Sequence, residues 1–454
     1  MRSWIRYSTV AATAVATAVA ACQFAPSLGT GDGGLPIDAL PAADAGPCAT
    51  VGVACASDGT LRTCTTLNQA PIDTACAWGC LGSDATAHCG VFVPSGGAAT
   101  TLDLGSNAQL DNISITGNGD LNGDDGTFGN LRTSSDKNTP YKNGVFFQLR
   151  GNIAVFKVKS LTISAALNVL GGHPIVIIAT DSIAIDGALD LHPLCAGNNN
   201  GFNGGPGGFT GADGTKNATG SGGGKGGGTD GKLGGGGGGN GAAGGNGGAA
   251  GGTPAAGGPA FGDATITLLV GGGGGGGGGK GTGAPKGGGG GGAIQFVTNG
   301  TISISTGGSI NAGGCGGGNG NTGEGGGGGG AGGTILLEAH DLSINGQLAV
   351  NGGAAGPGDN GPDGFDALLT RDPANGGQST DDPSADGGSG AAAGVFAGRV
   401  GGNGASTGGG GGGAVGRMRF NSRSGVVSPV DNTKLSPALT DPGSTTTQGK
   451  PRID

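Results

Sequence analysis

Ile294-Gln295-Phe296-Val297, Thr301-Ile302-Ser303-Ile304 and Ser309-Ile310-Asn311-Ala312 follow one another with only short turn-forming gaps between them. Each piece is short, aliphatic and β-branched, as suits a strand. The same three-part phrase recurs upstream as Ile175-Val176-Ile177-Ile178, Ser182-Ile183-Ala184-Ile185 and Gly187-Ala188-Leu189-Asp190-Leu191. It recurs downstream as Ile335-Leu336-Leu337, Leu342-Ser343-Ile344 and Gly346-Gln347-Leu348-Ala349-Val350. Three strands in about twenty residues, repeated, are the mark of one rung of a parallel β-helix. A sandwich of hairpins competes, but it does not explain why the long insertions always fall after the third strand. The expected fold is therefore all-β: a right-handed parallel β-helix or solenoid over residues 95–425, with long glycine-rich inserts on one edge. Ile113-Ser114-Ile115, Val145-Phe146-Phe147, Ala154–Val158 and Leu161-Thr162-Ile163 are expected to form N-terminal coils and a cap. Residues 426–454 read as a loose polar tail.

The inserts run roughly over 192–292, 313–333 and 352–413. Gly287–Gly292, Gly325–Gly330 and Gly408–Gly413 each lead through an alanine into a strand. Ordering a residue's backbone costs about 1–2 kcal/mol, and most for glycine. Such tracts order only if their amides pair. Extended threefold helices allow this, because nothing larger than hydrogen is needed where they pack. Gly271–Gly279 would span about 28 Å in that form.

Glycine supplies 117 of 454 residues, while aromatics are 4 % and charged residues 12 %. One thick globular core is thereby excluded, but a thin elongated one is not. A net charge of −9 without a basic block excludes a nucleic-acid partner.

Residues 1–21 read as an export signal, with Arg2 and Arg6 ahead of the apolar Val10–Ala21. Val19-Ala20-Ala21-Cys22 resembles a bacterial lipobox. That resemblance implies that Cys22 is lipidated and ties the chain to a membrane. Gln23, rather than Asp, after the cysteine points to the outer membrane and the cell surface. Residues 22–47 form a flexible tether.

Six cysteines crowd into residues 48–94: Cys48, Cys55, Cys64, Cys76, Cys80 and Cys89. In an exported chain such an even cluster implies a disulfide module, with fifteen pairings open. Asp58-Gly59 marks a hairpin turn inside it. The cluster resembles the six-cysteine modules that follow the anchor in other glycine-rich bacterial lipoproteins, which implies no activity. Cys195 and Cys315 remain as an even pair. They fall six residues after Leu189 and five after Ile310, both read as third-strand positions. Neighbouring rungs about 4.8 Å apart would bring them into disulfide range.

The repeat region resembles glycine-rich surface proteins of the PGRS type and the glycine-helix tips of some phage adhesins. The resemblance rests on Gly-Gly-Asn-Gly-Ala-Ala-Gly-Gly at 238–245 and on the six-glycine runs. The PE domain of that family is absent, so only the glycine architecture carries over.

Chemistry-bearing motifs are few. Gly226-x4-Gly231-Lys232 and Gly274-x4-Gly279-Lys280 lack the Ser or Thr of a phosphate loop. Asp120, Asn122 and Asp124 hold the first, third and fifth positions of a calcium loop. Asp125 and Leu131 then stand where Gly and Glu belong, so an Asx-rich turn is the simpler reading. Seven aspartates, Asp359, Asp363, Asp366, Asp372, Asp381, Asp382 and Asp386, suggest a solvated acidic loop. His173 and His192 precede prolines at strand ends, and His340 sits in a turn. Asp190, Glu338 and Asn311 stand isolated on the rungs. The expected function is that of a surface structural or adhesin-like lipoprotein without catalysis or a resident cofactor. It would meet cell-surface polysaccharide or other cells. A polysaccharide lyase or hydrolase is the alternative, and an ice- or carbohydrate-binding glycine face is a further one.

Overall fold

The structure, a computed structural model, describes residues 47–195, 203–280 and 283–454, and counts below refer to these. The export segment, Cys22 and nearly all of the tether lie outside them. Its regular secondary structure is almost entirely strand, and the only helices among these residues are 3-10 turns of three or four residues.

Two large sheets hold eleven and six strands. The three phrases of the repeat align residue for residue. In the first strands Ala154, Ile175, Ile294, Ile335 and Met418 stack in parallel register. Phe156, Ile177, Phe296, Leu337 and Phe420 do the same two residues on, and all are buried in one core. Second strands stack Ile113, Leu161, Ile183, Ile302 and Leu342. Third strands stack Leu167, Leu189, Ile310, Leu348 and Leu435. The period of two sends these residues inward, so each unit adds a layer to one continuous apolar column.

First strands are buried on both faces, which explains why Ile175-Val176-Ile177-Ile178 does not alternate. Val155, Val176, Ile178, Val297 and Leu336 point outward into a second core. That core is built with Trp78 and Phe92 of the cysteine module and with Ile266 and Leu269 of the first insert.

The module is thus packed on the sheet. Trp78 Nε1 donates to Asn299 Oδ1 at 3.1 Å, and the Trp78 and Phe92 rings lie 4.6 Å apart. Inside the module, Gly52–Ser57 and Thr60–Cys64 pair as an antiparallel hairpin around Asp58-Gly59.

The N-terminal end of the stack is closed by a change of direction. Val145–Arg150 runs antiparallel to Ile153–Ile163, while Asn112–Ile115 continues the parallel ladder. Buried Arg132 ties this cap together by donating to the Gly126, Val145, Asp136 and Thr139 carbonyls.

The C-terminal residues require a correction. Residues 426–454 are not a loose tail. Leu435–Ser436 extends the six-stranded sheet, and Thr446–Gly449 extends the eleven-stranded one. Arg452–Ile453 then pairs antiparallel with Phe92–Val93 of the module. Leu435 joins the buried apolar column and Ile453 packs against the second core, so side chains as well as backbone pairing hold these short strands.

The inserts bond to one another. Gly235 and Gly238 donate to the Gly326 and Gly329 carbonyls. Gly326 and Gly329 donate in turn to Gly408 and Gly411, and Gly411 donates back to Gly235. Within 234–239, the residues on either side of these look elsewhere: Gly234 and Gly237 to Gly248 and Gly245, Gly236 and Gly239 to Lys225 and Gly222. A donor direction that repeats every third residue is the geometry of an extended threefold helix. A Cβ at Gly237, Gly328 or Gly411 would lie closer than 3.0 Å to a neighbouring carbonyl.

Candidate functional site

Third strands end at Asp190, Asn311 and Ala349, and there the chain leaves the sheet for the inserts. Just before that exit, an outward column of the six-stranded sheet runs Asp120, Asn168, Asp190, Asn311. Acid and amide alternate, so each amide can bond a neighbouring carboxylate. Asn168 Nδ2 donates to Asp120 at 3.0 Å, and Asn311 Nδ2 donates to Asp190 at 3.2 Å. In-register stacking positions this ladder, because every unit presents the same outward phase.

The ladder leads to the His192-Pro193-Leu194-Cys195 segment. Asp190 Oδ1 accepts the His192 backbone N–H at 3.1 Å and turns the chain. Cys195 is joined to Cys315 by a disulfide, with Cα atoms 5.5 Å apart. Both cysteines lie past the third strands, not within them, in the two loops that begin the first and second inserts. His192 Nδ1 lies 3.4 Å from the Cys195 sulfur, and Nε2 lies 3.2 Å from the Gly314 carbonyl. Asp366, from the third insert, reaches the same place. Ligand atoms of His192, Cys195, Cys315 and Asp366 all lie within 4.8 Å of one another. Among the described residues this is the one group of three or more His, Cys, Asp or Glu side chains so close. Leu194 stands exposed beside it. Two cavities of about 250 and 400 Å³ adjoin the segment and share Leu170, His192, Pro193 and Leu194.

The other residues singled out from the sequence are placed as follows. Asp120, Asn122 and Asp124 each serve a separate bond. Asp120 accepts from Asn168, Asn122 accepts the Asp124 N–H at 2.9 Å, and Asp124 accepts the Gly172 N–H at 2.8 Å. The Asn122 bond is that of an Asx turn, and the other two tie neighbouring units together. His173 Nε2 lies 3.8 Å from Asp124. In the module, Cys48 pairs with Cys64, Cys55 with Cys80, and Cys76 with Cys89. His340 Nε2 meets the Ala77 carbonyl at 3.0 Å and helps seat the module.

The acidic stretch of the third insert is not a solvated loop throughout. Asp359, Asp363, Asp366 and Asp386 accept backbone N–H groups of Gly323, Asn319, Gly316 and Ser379. Carboxylates there replace the carbonyls that a glycine tract otherwise finds on its neighbours. Asp382 likewise accepts from Ser384 and Ala405, and the Ala405 bond first of all holds its pKa below the usual aspartate range.

Glu338 is not isolated. It is fully buried on the outer face of the first strands. Its carboxyl accepts from Ser95 N–H at 2.9 Å, Gln295 Nε2 at 2.6 Å and Asn421 Nδ2 at 2.8 Å. Burial nevertheless raises its pKa, outweighing the three donors. Gln295 Oε1 beside it is buried without a hydrogen-bond partner. This network closes the seam between the sheet and the 95–97 loop.

Sequence reasoning missed His192 and Asp366 as partners of the cysteine pair. The local signal was a His three residues before a Cys in a loop. Asp366 carried none, since a different insert delivers it. Comparison with family models, with characterised proteins and with solved structures returned no match.

Proposed function

We propose that this protein is a lipid-anchored surface element of the outer membrane that holds a rigid glycine block on a right-handed parallel β-helix. The in-register stacking of three-strand units supports the solenoid reading, and Val19-Ala20-Ala21-Cys22 supports the anchor. One observation carries the display role: the three inserts bond into a single block whose loops expose Phe365, Leu368, Val395 and Val400. Apolar groups on a preorganised scaffold lose little freedom on contact, which suits adhesion to polysaccharide or to other cells. Protease added to intact cells should remove the glycine region, and mass spectrometry should find an acylated Cys22 at the mature N-terminus. An untouched glycine region together with an unmodified N-terminus would overturn the reading.

A second reading has its own support. The Asp120–Asn168–Asp190–Asn311 ladder beside two cavities offers donors and acceptors suited to sugar hydroxyls. In the present proposal this groove binds without cleaving. Release of oligosaccharide from polysaccharide by the purified chain would replace it with an enzymatic role.

A further inference from the structure

We infer that the Cys195–Cys315 pair is a redox-gated metal site. As a disulfide it staples the first two inserts. As a dithiol it binds one Zn²⁺ together with His192 and Asp366. The inference is independent of the anchor and of the display role.

Two thiolates, one imidazole and one carboxylate form a donor set suited to tetrahedral zinc. Ligand atoms around such an ion stand about 3.5 Å apart. The four here already lie within 4.8 Å of one another. The two sulfurs must separate, which breaking their bond permits, and atoms at the outer limit of that range must draw in by about 1 Å.

The supporting contacts are also in place. A histidine that ligates metal usually donates its other ring N–H to a carbonyl or carboxylate. His192 Nε2 sits 3.2 Å from the Gly314 carbonyl, the acceptor its N–H would take when Nδ1 binds the ion. Both ring nitrogens flank the Cys195 sulfur, Nδ1 at 3.4 Å and Nε2 at 3.5 Å, so the ring turns to aim Nδ1 at the metal. Asp366 Oδ1 accepts the Gly316 N–H at 2.8 Å, which fixes the carboxylate against the same loop. Cys195 is half-buried and its cavity of about 250 Å³ also touches His192 and Asp366, so reductant and ion have a route in. Cys315 is fully buried and closes the inner side.

The step balances with a dithiol reductant. Two electrons and two protons pass from that dithiol to the protein disulfide, giving two protein thiols and an oxidised dithiol. Zn²⁺ then displaces the two thiol protons to water and takes both thiolates, the His192 lone pair and an Asp366 oxygen. In the return step an external disulfide takes the two electrons by exchange and two protons from water, becoming a dithiol, while the protein releases the ion and restores its staple. In the metal form all three inserts are tied at their common root, whereas the disulfide ties only two.

The test uses the mature chain, reduced with a phosphine, freed of reductant under argon and titrated with Co²⁺ and Zn²⁺. The reduced native chain should take up one ion per chain more than the reduced Cys195→Ser/Cys315→Ser chain. The Co²⁺ form should show tetrahedral d–d bands and thiolate charge transfer that the oxidised chain lacks. His192→Ala and Asp366→Asn keep the disulfide during folding, so they remain informative if the double variant misfolds. Each should weaken Zn²⁺ binding by about tenfold or more, the scale seen even for supporting residues. Equal uptake by the native and double-variant chains would overturn the inference. So would unchanged affinity and Co²⁺ spectra in His192→Ala.

Discussion

The stacked sheets and the glycine block are both ordered, for opposite reasons. In the sheets, side chains decide. Phe156, Ile177, Phe296, Leu337 and Phe420 form one buried column, and the backbone ladder follows the register they set. In the block, the absence of side chains decides. Gly235 donates to Gly326 and accepts from Gly411, and a Cβ on any of the three would run into a neighbouring carbonyl. Hydrophobic burial drives the first, while close-range backbone pairing sustains the second on the rigid exits that the first supplies. The lesson is that a chain with few large apolar groups can remain ordered over most of its length. It does so when a thin apolar spine fixes where its glycine tracts begin and end.

The comparison would break most visibly at the spine. Phe296→Ala should cost about 3–5 kcal/mol in urea unfolding, since it empties the centre of the apolar column. A loss below about 1 kcal/mol would show that the spine is not what orders the fold. Replacing Cys195 and Cys315 together by Ser should cost about 2–5 kcal/mol in the oxidised chain, because their bond closes a loop spanning 120 residues. Circular dichroism should still report the same strand content. Gly237→Ala should cost about 1–3 kcal/mol, as its Cβ meets the Gly412 carbonyl. Amide exchange should quicken in 234–239 and 408–413 while the first strands remain protected. Uniform loss of protection would mean that block and sheets unfold as one body.

Response to pH sharpens the contrast further. Burial raises the Glu338 pKa in the folded sheet. Its contribution is therefore full below the usual glutamate range, about 4.3. It is lost as pH rises through the folded value. Glu338→Gln should flatten that decline between acid and neutral pH, as read from urea midpoints. Asp263, in the first insert, behaves oppositely. Bonds from Thr265, and then Thr267, lower its pKa to about 2. Its contribution is present above the usual aspartate range and fades as pH falls toward that value. Asp263→Asn should remove this acid-side loss and leave the Glu338 effect unchanged.

Much of the sheet was legible. Ile294–Val297, Thr301–Ile304 and Ser309–Ala312 carried strand length, turn position and phase, and the glycine-to-alanine boundaries located the insert exits. The cysteine pair was legible by parity and near-equal phase. Residues 426–454 were not, because Leu435 and Thr446 sit in very short strands among Ser, Thr, Pro and Gly, with no repeat or alternation to announce them. The docked module was also hidden: Trp78 and Phe92 are two apolar residues among polar ones, with nothing local to name the face they cover.

The sequence by itself determined the repeating unit, the exits of the inserts and the redox-capable cysteines, because period, turn chemistry and parity are written in residue types. Only the tertiary structure decided which carbonyl each glycine amide reaches, which cysteines pair in the module, and that Asp366 meets His192. A glycine tract has no side-chain pattern to mark its neighbours. Contacts between separate inserts therefore exist only once the shared spine has set their spacing.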